Sequence, residues 1–452
     1  MNSKIIYIKN WFLSGHKRSV KAKKHIFYSF FIKGVSIIVG LILIPLILGY
    51  LDAERYGIWV TLSSIIAWFS FFDIGLGNGL RNRFAEAIAQ NDSELAKSYV
   101  STTYAILGII LLIVLTLFYV INPFLNWQII LNTTTVNTNE LSIIALIVFT
   151  FFILRFFFKL IGMILMADQR PAVNNAFGPI GNVFVILIIF ILTKTTEGSL
   201  ILLSAVLSAM PVIVLIFATF YFFRNDYKKY KPEYRYIDFS NAKDLLGLGF
   251  KFFYIQSAAV IIYSTSNVII AQLFGPSQVT PYNIAFTYFS VITMSFRTIV
   301  TPFWSAFTEA WSKQDIEWIK RIIKKLRLIW LFFSIITVGM LILANSIYIF
   351  WVGNEIVIPL NISITLAIFV IINSWTGIYI SFLNGIGKIK LQFYSGLFGS
   401  ILHIPLAIYF GKQFGVCGVV LSVIILGLIS AVWAPIQYSK IVNNNAYGIW
   451  NA

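Results

Sequence analysis

Charged side chains are scarce inside the apolar stretches of this sequence. Each costs at least ~2.5–3.5 kcal/mol at the centre of a membrane span, so those present are the first candidates for chemistry. Asp73 is the only acid deep in such a stretch, and Arg155, Lys159 and Arg297 are the deep cations. Lys33 and Lys251 fall within a turn or two of the inner ends of their stretches, where a long stem lets the ammonium snorkel to the interface. They are secondary binding candidates.

Arg155 and Lys159 are spaced i,i+4, which stacks them on one face of a helix. They interrupt the run Phe149-Thr-Phe-Phe-Ile-Leu-Arg-Phe-Phe-Phe-Lys159, and Arg155 sits roughly 20 Å from the outer end of its span, at ~1.5 Å per residue. Two cations on one face suit a polyanionic group such as a diphosphate, which arginine grips through its bidentate fork. The alternative is that they cap carbonyls of neighbouring helices. Asp73 and Arg297 lie at matching depths in two different spans, near the inner third of the membrane. Opposite charges so placed could pair when the inner side closes and part when it opens, which would gate a rocking equilibrium. A static structural pair, or Asp73 bound to its own glycine-rich turn, would use the same residues. His403 stands alone, and a lone polar residue in a membrane bundle is more often a helix–helix hydrogen bond than a ligand.

The elements that must hold these residues are membrane helices. Hydrophobic residues make up 59% of the 452, and charged residues 11%, against roughly a quarter in soluble proteins. Twelve stretches reach the ~20 residues that cross a bilayer: near 28–50, 57–78, 101–124, 142–166, 173–193, 199–223, 250–273, 281–304, 328–352, 362–384, 391–411 and 415–437. The fold class expected is an all-α polytopic membrane protein. Of 34 Lys and Arg, 26 fall in alternate loops and tails, while the opposite loops hold only Arg55, Lys194 and Lys412. That bias places both termini in the cytoplasm. It also accounts for the net charge of +17 without nucleic acid, since inner cations meet anionic membrane lipids. Residues 1–25 mix seven basic residues with Ile5, Ile6, Trp11, Phe12 and Leu13. They read as an amphipathic segment on the inner leaflet or a basic tail, and not as a cleaved signal peptide. The single cysteine, Cys417, forbids an intramolecular disulfide or a thiolate metal cluster, and no GxxxxGK[ST] loop is present for ATP. No cofactor is expected.

The sequence also repeats. Phe84–Val100 (FAEAIAQNDSELAKSYV) aligns without a gap on Phe307–Ile323 (FTEAWSKQDIEWIKRII), matching Phe84/Phe307, Glu86/Glu309, Ala87/Ala310, Asp92/Asp315, Glu94/Glu317 and Lys97/Lys320. Leu165–Asn182 aligns likewise on Leu383–Ser400, with Arg170/Lys388, Gly178/Gly396 and Gly181/Gly399 in register. Repeated halves are a transporter signature, two lobes rocking about a site between them. The expected organisation is an N-lobe over 26–223 (spans one to six), a cytoplasmic linker over 224–249, a C-lobe over 250–437 (spans seven to twelve) and a cytoplasmic tail over 438–452. Within the linker, Ser240 or Asn241 reads as the cap of a surface helix. Gly75, Gly77 and Gly79 disfavour a regular end to span two and allow close backbone approach.

Taken together, twelve spans in two six-helix lobes, the block Phe71–Ala87 (FFDIGLGNGLRNRFAEA), and the short turns at Asp168-Gln-Arg170 and Gly387-Lys388 resemble the polysaccharide-transporter branch of the multidrug/oligosaccharidyl-lipid/polysaccharide exporter superfamily. Within it, the chain is similar to Wzx-type flippases for O-antigen and related repeat units. The resemblance implies a bacterial inner-membrane flippase that moves an undecaprenyl-diphosphate-linked oligosaccharide by alternating access for surface polysaccharide (lipopolysaccharide O-antigen or capsule-like) assembly. It implies a hydrated cationic cavity, a lipid-linked oligosaccharide as partner, and the polysaccharide polymerase machinery as a further one. Arg155, Lys159 and Arg297 fit such a cavity by charge and depth, with Asp73 and Arg297 as gating or coupling residues. A cation-coupled drug exporter of the related MATE type would instead need carboxylates in its spans, and these spans carry a basic excess. A membrane-embedded glycan polymerase or glycosyltransferase would present a large catalytic loop. The largest outer loop, Asn126–Glu140, is small and nearly uncharged, so transport rather than catalysis is expected.

Overall fold

In hydrocarbon every backbone N–H and C=O must be satisfied within its own segment, which leaves long apolar runs the helix as their form. The computed structural model describes residues 17–69, 75–242, 244–245 and 264–451, and every regular element among them is helical. In chain order these are α1 (Lys17–Leu48), α2 (Ala53–Ala67), α3 (Leu76–Ala89), α4 (Ser93–Ile121), the short α5 (Trp127–Leu131), α6 (Thr138–Phe158), α7 (Leu160–Ala167), α8 (Pro171–Thr195) and α9 (Leu200–Arg224). Residues 264–274 form α10. There follow α11 (Val279–Ser312), α12 (Ile316–Ile342), α13 (Ala344–Val352), α14 (Leu360–Gly385), α15 (Lys390–Phe414) and α16 (Val416–Val442). Ten segments among the described residues are long and apolar enough to cross a membrane, and they coincide with ten of the twelve expected spans. The other two, the second and seventh, run across 70–74 and 246–263, outside the described residues.

Two expected spans are each built from two helices. Span four divides at Lys159, whose N–H donates to the Arg155 carbonyl at 3.0 Å, and α7 starts anew behind it. Nearby, Gly162 lets α8 approach closely: a Cβ there would lie 2.0 Å from Asn174 Oδ1. Span nine divides at Leu343 between α12 and α13.

The chain forms two compact units. The first comprises Met1–Leu51, Phe69–Trp127 and Val136–Tyr254. In it α1 packs on α8, α9 on α6 and α8, and α4 on α3 and α6. In it Phe118 and Phe149 stack, and Phe69 meets both edge-on. The linker is tied to the N-terminal end of α4. Glu233 N donates to Ser101 Oγ, Asp238 N to Thr102 Oγ1 and Asn241 Nδ2 to Ser98 Oγ. Lys97 adds an ion pair with Glu233 at 2.7 Å. Asp238 caps the short 3-10 turn Phe239–Asn241 there, accepting from the Ser240 amide and hydroxyl. Both bonds go to Asp238 Oδ1 and hold its carboxyl below the usual carboxylate range.

The second unit comprises Asp52–Trp68, Gln128–Thr135 and Ile255–Ala452. Its helices α11, α12 and α16 all pack on α14, with α15 on α16, around a core that includes Phe296, Phe307, Tyr379 and Phe382. Two segments from early in the sequence are built into it by specific polar contacts. Tyr56 OH donates to Asn283 Oδ1 at 3.0 Å, and Thr280 Oγ1 to the Ala53 carbonyl. Asn132 Nδ2 donates to the Ala271 carbonyl at 3.0 Å and Gln272 Nε2 to that of Ile129. Gly57 leaves no room for a side chain, since a Cβ would lie 1.9 Å from the Pro276 carbonyl oxygen.

The sequence repeat is a structural repeat. Asp92 and Asp315 each cap the following helix, accepting from Leu95 N at 2.9 Å and Trp318 N at 3.0 Å. Each follows a residue in the left-handed region, Asn91 (φ 60) or Gln314 (φ 56). Each N–H closes a six-residue turn on the helix before it, to Ala87 and Ala310 respectively. The second repeat has the same turn, Arg170 N to Leu165 O and Lys388 N to Leu383 O, with Gln169 and Gly387 at positive φ. Arg170 then pairs with Asp168 and Asp226, whereas Lys388 donates to the Asn451 carbonyl. In each copy, therefore, the turn's cation binds chain that follows the last span of that half.

Candidate functional site

Helices α11 and α14 create a groove in the second unit that contains Arg297. They draw together toward their C-terminal ends because Gly385 lacks a side chain: a Cβ there would lie 2.8 Å from the Trp304 carbonyl oxygen and 3.1 Å from Phe307 Cβ. Thr308 Oγ1 bridges the pair by donating to the Gly385 carbonyl at 2.7 Å. Above that point the helices diverge around two adjoining cavities of ≈ 220 and ≈ 300 Å³, and Thr293, Arg297 and Asn373 line both.

The two cavities differ in chemistry. The first is walled largely by Phe286, Phe289, Met294, Leu366 and Phe369. The second, toward the C-terminal ends of both helices, presents Thr301, Trp304, Ser374, Thr376, Ser381 and Asn384. Two of its hydroxyls, Ser374 Oγ and Ser381 Oγ, are buried without a hydrogen-bond partner. Buried hydroxyls in proteins are normally satisfied, so an unsatisfied pair facing a cavity is provision for water or a polar ligand. Arg297 is exposed to the groove and forms no ion pair among the described residues. Its neighbour Thr301 turns its hydroxyl back to the Arg297 carbonyl at 2.6 Å. A guanidinium flanked by amides, hydroxyls and an indole, with no acid among the lining residues, can hold an anion with polar, uncharged groups attached.

The other expected site residues belong to the first unit or lie outside the described residues. Arg155, near the end of α6, is exposed. Lys159, at the α6–α7 junction, is half-buried with Nζ 4.0 Å above the Phe156 ring. The break between the helices leaves the two cations within one turn of each other, as their spacing required. Lys33 is half-buried on α1. Asp73 and Lys251 fall outside the described residues, and with them the Asp73–Arg297 pair. His403 is fully buried on α15 and bridges helices, its Nε2 3.4 Å from Ser266 Oγ and its Nδ1 3.1 Å from Ser422 Oγ. That is the structural role expected of a lone polar residue.

Sequence reasoning missed the polar partners of Arg297. A signal existed on α11, where Thr293, Arg297 and Thr301 recur every four residues and mark one polar face. Nothing comparable marked Asn373, Ser381 and Asn384 on α14, whose polar residues are spread among apolar ones.

Residues 22–311 match the family described as polysaccharide biosynthesis protein. The chain belongs to that family. A curated relative, a putative O-antigen export protein of Yersinia pseudotuberculosis, is 23% identical over 90% of this chain and 94% of its own length. Among solved structures, a multidrug resistance MATE family transporter in its inward-facing conformation superposes with a TM-score of 0.75. It is 13% identical and covers 93% of this chain and 100% of its own. The lipid II flippase MurJ superposes with a TM-score of 0.70 at 17% identity, covering 93% of this chain and 90% of its own. The expected superfamily fold is therefore found, and this member of the polysaccharide biosynthesis protein family is an all-α, multi-pass membrane protein. The expectation of a transport protein rather than an enzyme agrees with the relative's name.

Proposed function

We propose that this protein flips an undecaprenyl-diphosphate-linked oligosaccharide repeat unit across the bacterial inner membrane for O-antigen or capsule-like polysaccharide assembly. The observation that carries the reading is the α11–α14 groove, where an exposed Arg297 stands at membrane depth beside a cavity of amides, hydroxyls and one indole. A diphosphate supplies the anion for Arg297, and neutral sugar supplies hydroxyls for Ser374, Ser381, Asn373 and Asn384. Arg155 and Lys159 offer a second cationic position for the same headgroup. The polyprenyl tail stays in lipid, because extracting it would forfeit about 0.8 kcal/mol per CH₂.

Transport by alternating access is read from the repeated halves, 26–223 and 250–437, as the moving lobes, with Asp52–Trp68 and Gln128–Thr135 moving with the second, both termini in the cytoplasm and Asp73 against Arg297 as an inner gate. For that gate, strictly additive transport defects in Asp73→Asn, Arg297→Gln and the double variant would count against pairing. The products are delivered to the outer leaflet, where the polysaccharide polymerase machinery is the consumer.

The test is reconstitution into liposomes with a fluorescent polyprenyl-diphosphate oligosaccharide. Protein-dependent movement between leaflets is expected, with loss in Arg297→Ala and in Arg155→Ala/Lys159→Ala. Movement that survives both substitutions keeps the flippase and removes these residues from the site. Uptake of a cationic dye, with no lipid movement, would assign the protein to drug export instead.

A further inference from the structure

The two copies of the repeat differ in what covers them. In the first copy, the inner end of α4 is covered by the linker, which hydrogen-bonds to Ser98, Ser101 and Thr102. Carrying those positions into the second copy by the repeat offset of 223 gives Arg321, Lys324 and Lys325 on α12. Three small hydroxyl side chains that bind a polypeptide have become three long cations, and all three are exposed. Neighbouring Lys320 is engaged with Glu317 at 3.1 Å and Arg327 with Tyr379 OH at 2.9 Å. Arg321, Lys324 and Lys325 form no ion pair among the described residues. The described end of the chain does not cover them either: Gln437 Nε2 and Lys388 Nζ donate to the carbonyls of Trp450 and Asn451, and Lys440 lies over the Trp450 ring.

The same face of α12 states the kind of partner. Arg321, Lys324 and Lys325 point away from Ile319, Ile323 and Leu326, which are at most 1% exposed. One turn further along that outward face come Leu328, Phe332, Ile335 and Ile342, between 60% and 76% exposed. A soluble protein does not display such a row, and here it is the lipid-facing side of a span. The cations therefore begin about 5 Å below the first lipid-facing side chain, at 1.5 Å per residue, which is headgroup level. Acyl chains along the apolar row and a phosphate against the three cations would fit one molecule.

We propose that Arg321, Lys324 and Lys325 form a binding site for the headgroup of an anionic phospholipid of the inner leaflet, filling in the second copy the place that the linker fills in the first. Basic clusters directly below a membrane helix hold anionic lipid in this way. The site is separate from the α11–α14 groove and does not depend on the transported substrate.

The experiment is native mass spectrometry and thermal unfolding of the purified full chain in detergent, titrated with phosphatidylglycerol or phosphatidylcholine. Wild type is expected to retain phosphatidylglycerol and gain melting temperature from it, with no such response to phosphatidylcholine. Arg321→Gln/Lys324→Gln/Lys325→Gln should lose at least about tenfold in affinity for phosphatidylglycerol. Lys228→Gln/Lys229→Gln/Lys231→Gln, which removes the same charge from the exposed linker, should not. Unchanged affinity in the first variant, or equal loss in the second, overturns the site. So does displacement of phosphatidylglycerol by an equimolar polyprenyl diphosphate, which would make these residues part of the substrate path. If the triple variant does not fold, Lys324→Gln alone must weaken binding severalfold, and wild-type affinity there overturns the proposal equally.

Discussion

Arg297 and Gly79 show how single residues carry opposite burdens here. Arg297 is exposed to a groove, so its replacement disturbs little packing and acts on the ligand. Arg297→Gln is expected to weaken binding of a polyprenyl diphosphate by about tenfold or more, the value of one charge-assisted contact. Arg297→Lys should fall between, because a lysine keeps the charge and loses the fork. Both are read by titrating the lipid against purified protein, and wild-type binding in the glutamine variant would remove Arg297 from the site. Gly79 carries no chemistry. A Cβ there would lie 2.1 Å from the Leu245 carbonyl oxygen, so Gly79→Val must push the linker off α3 or fail to pack. A loss of about 1–3 kcal/mol is expected, visible as a lower melting temperature. Gly75 has a different reason to be glycine, since its φ of 77 starts α3 from the left-handed region.

At the scale of elements, the capped starts of α4 and α12 are the clearest case of sequence dictating geometry. The Asp92 and Asp315 carboxylates each take an otherwise orphaned N–H of the first turn. Asp92→Ala and Asp315→Ala should each cost about 1 kcal/mol, while Asp→Asn at either place should cost little, because asparagine caps equally well. Thermal unfolding of the four variants checks this, and equal losses for alanine and asparagine would show that charge rather than the hydrogen bond mattered. The same helices show how copies diverge. Where the linker meets α4, Ser98, Ser101 and Thr102 bond its chain, while the equivalent positions of α12 are the exposed Arg321, Lys324 and Lys325.

For the whole molecule, the two compact units do not follow the midpoint of the chain. Asp52–Trp68 and Gln128–Thr135 belong with the second unit, tied there by Tyr56 to Asn283, Thr280 to Ala53 and Gln272 to Ile129. A second half made alone would leave Asn283, Thr280 and Gln272 without those partners and the Pro276 surface uncovered. Residues 242–452 expressed by themselves are expected to aggregate or be degraded, and co-expression with residues 1–241 to restore a monodisperse protein. Recovery of the isolated second half in folded form would show that the early segments are ornament to that unit.

The number and place of the spans were legible because hydrocarbon demands ~20 apolar residues whatever surrounds them. The repeat was legible as matched residues, and the structure adds what the alignment did not state: Asp92 and Asp315 cap the helices that follow them, and Arg170 and Lys388 close equivalent turns. What the sequence by itself could not determine was which faces meet. Asn373, Ser381 and Asn384 became neighbours of Arg297 only because Gly385 lets α14 close on α11, and Asp52–Trp68 joined the second unit through contacts more than 200 residues away in the chain. Local hydrogen bonding and hydropathy act over a few residues and can be read in order. Packing between helices depends on side chains that are distant in sequence, so only the tertiary structure decides it.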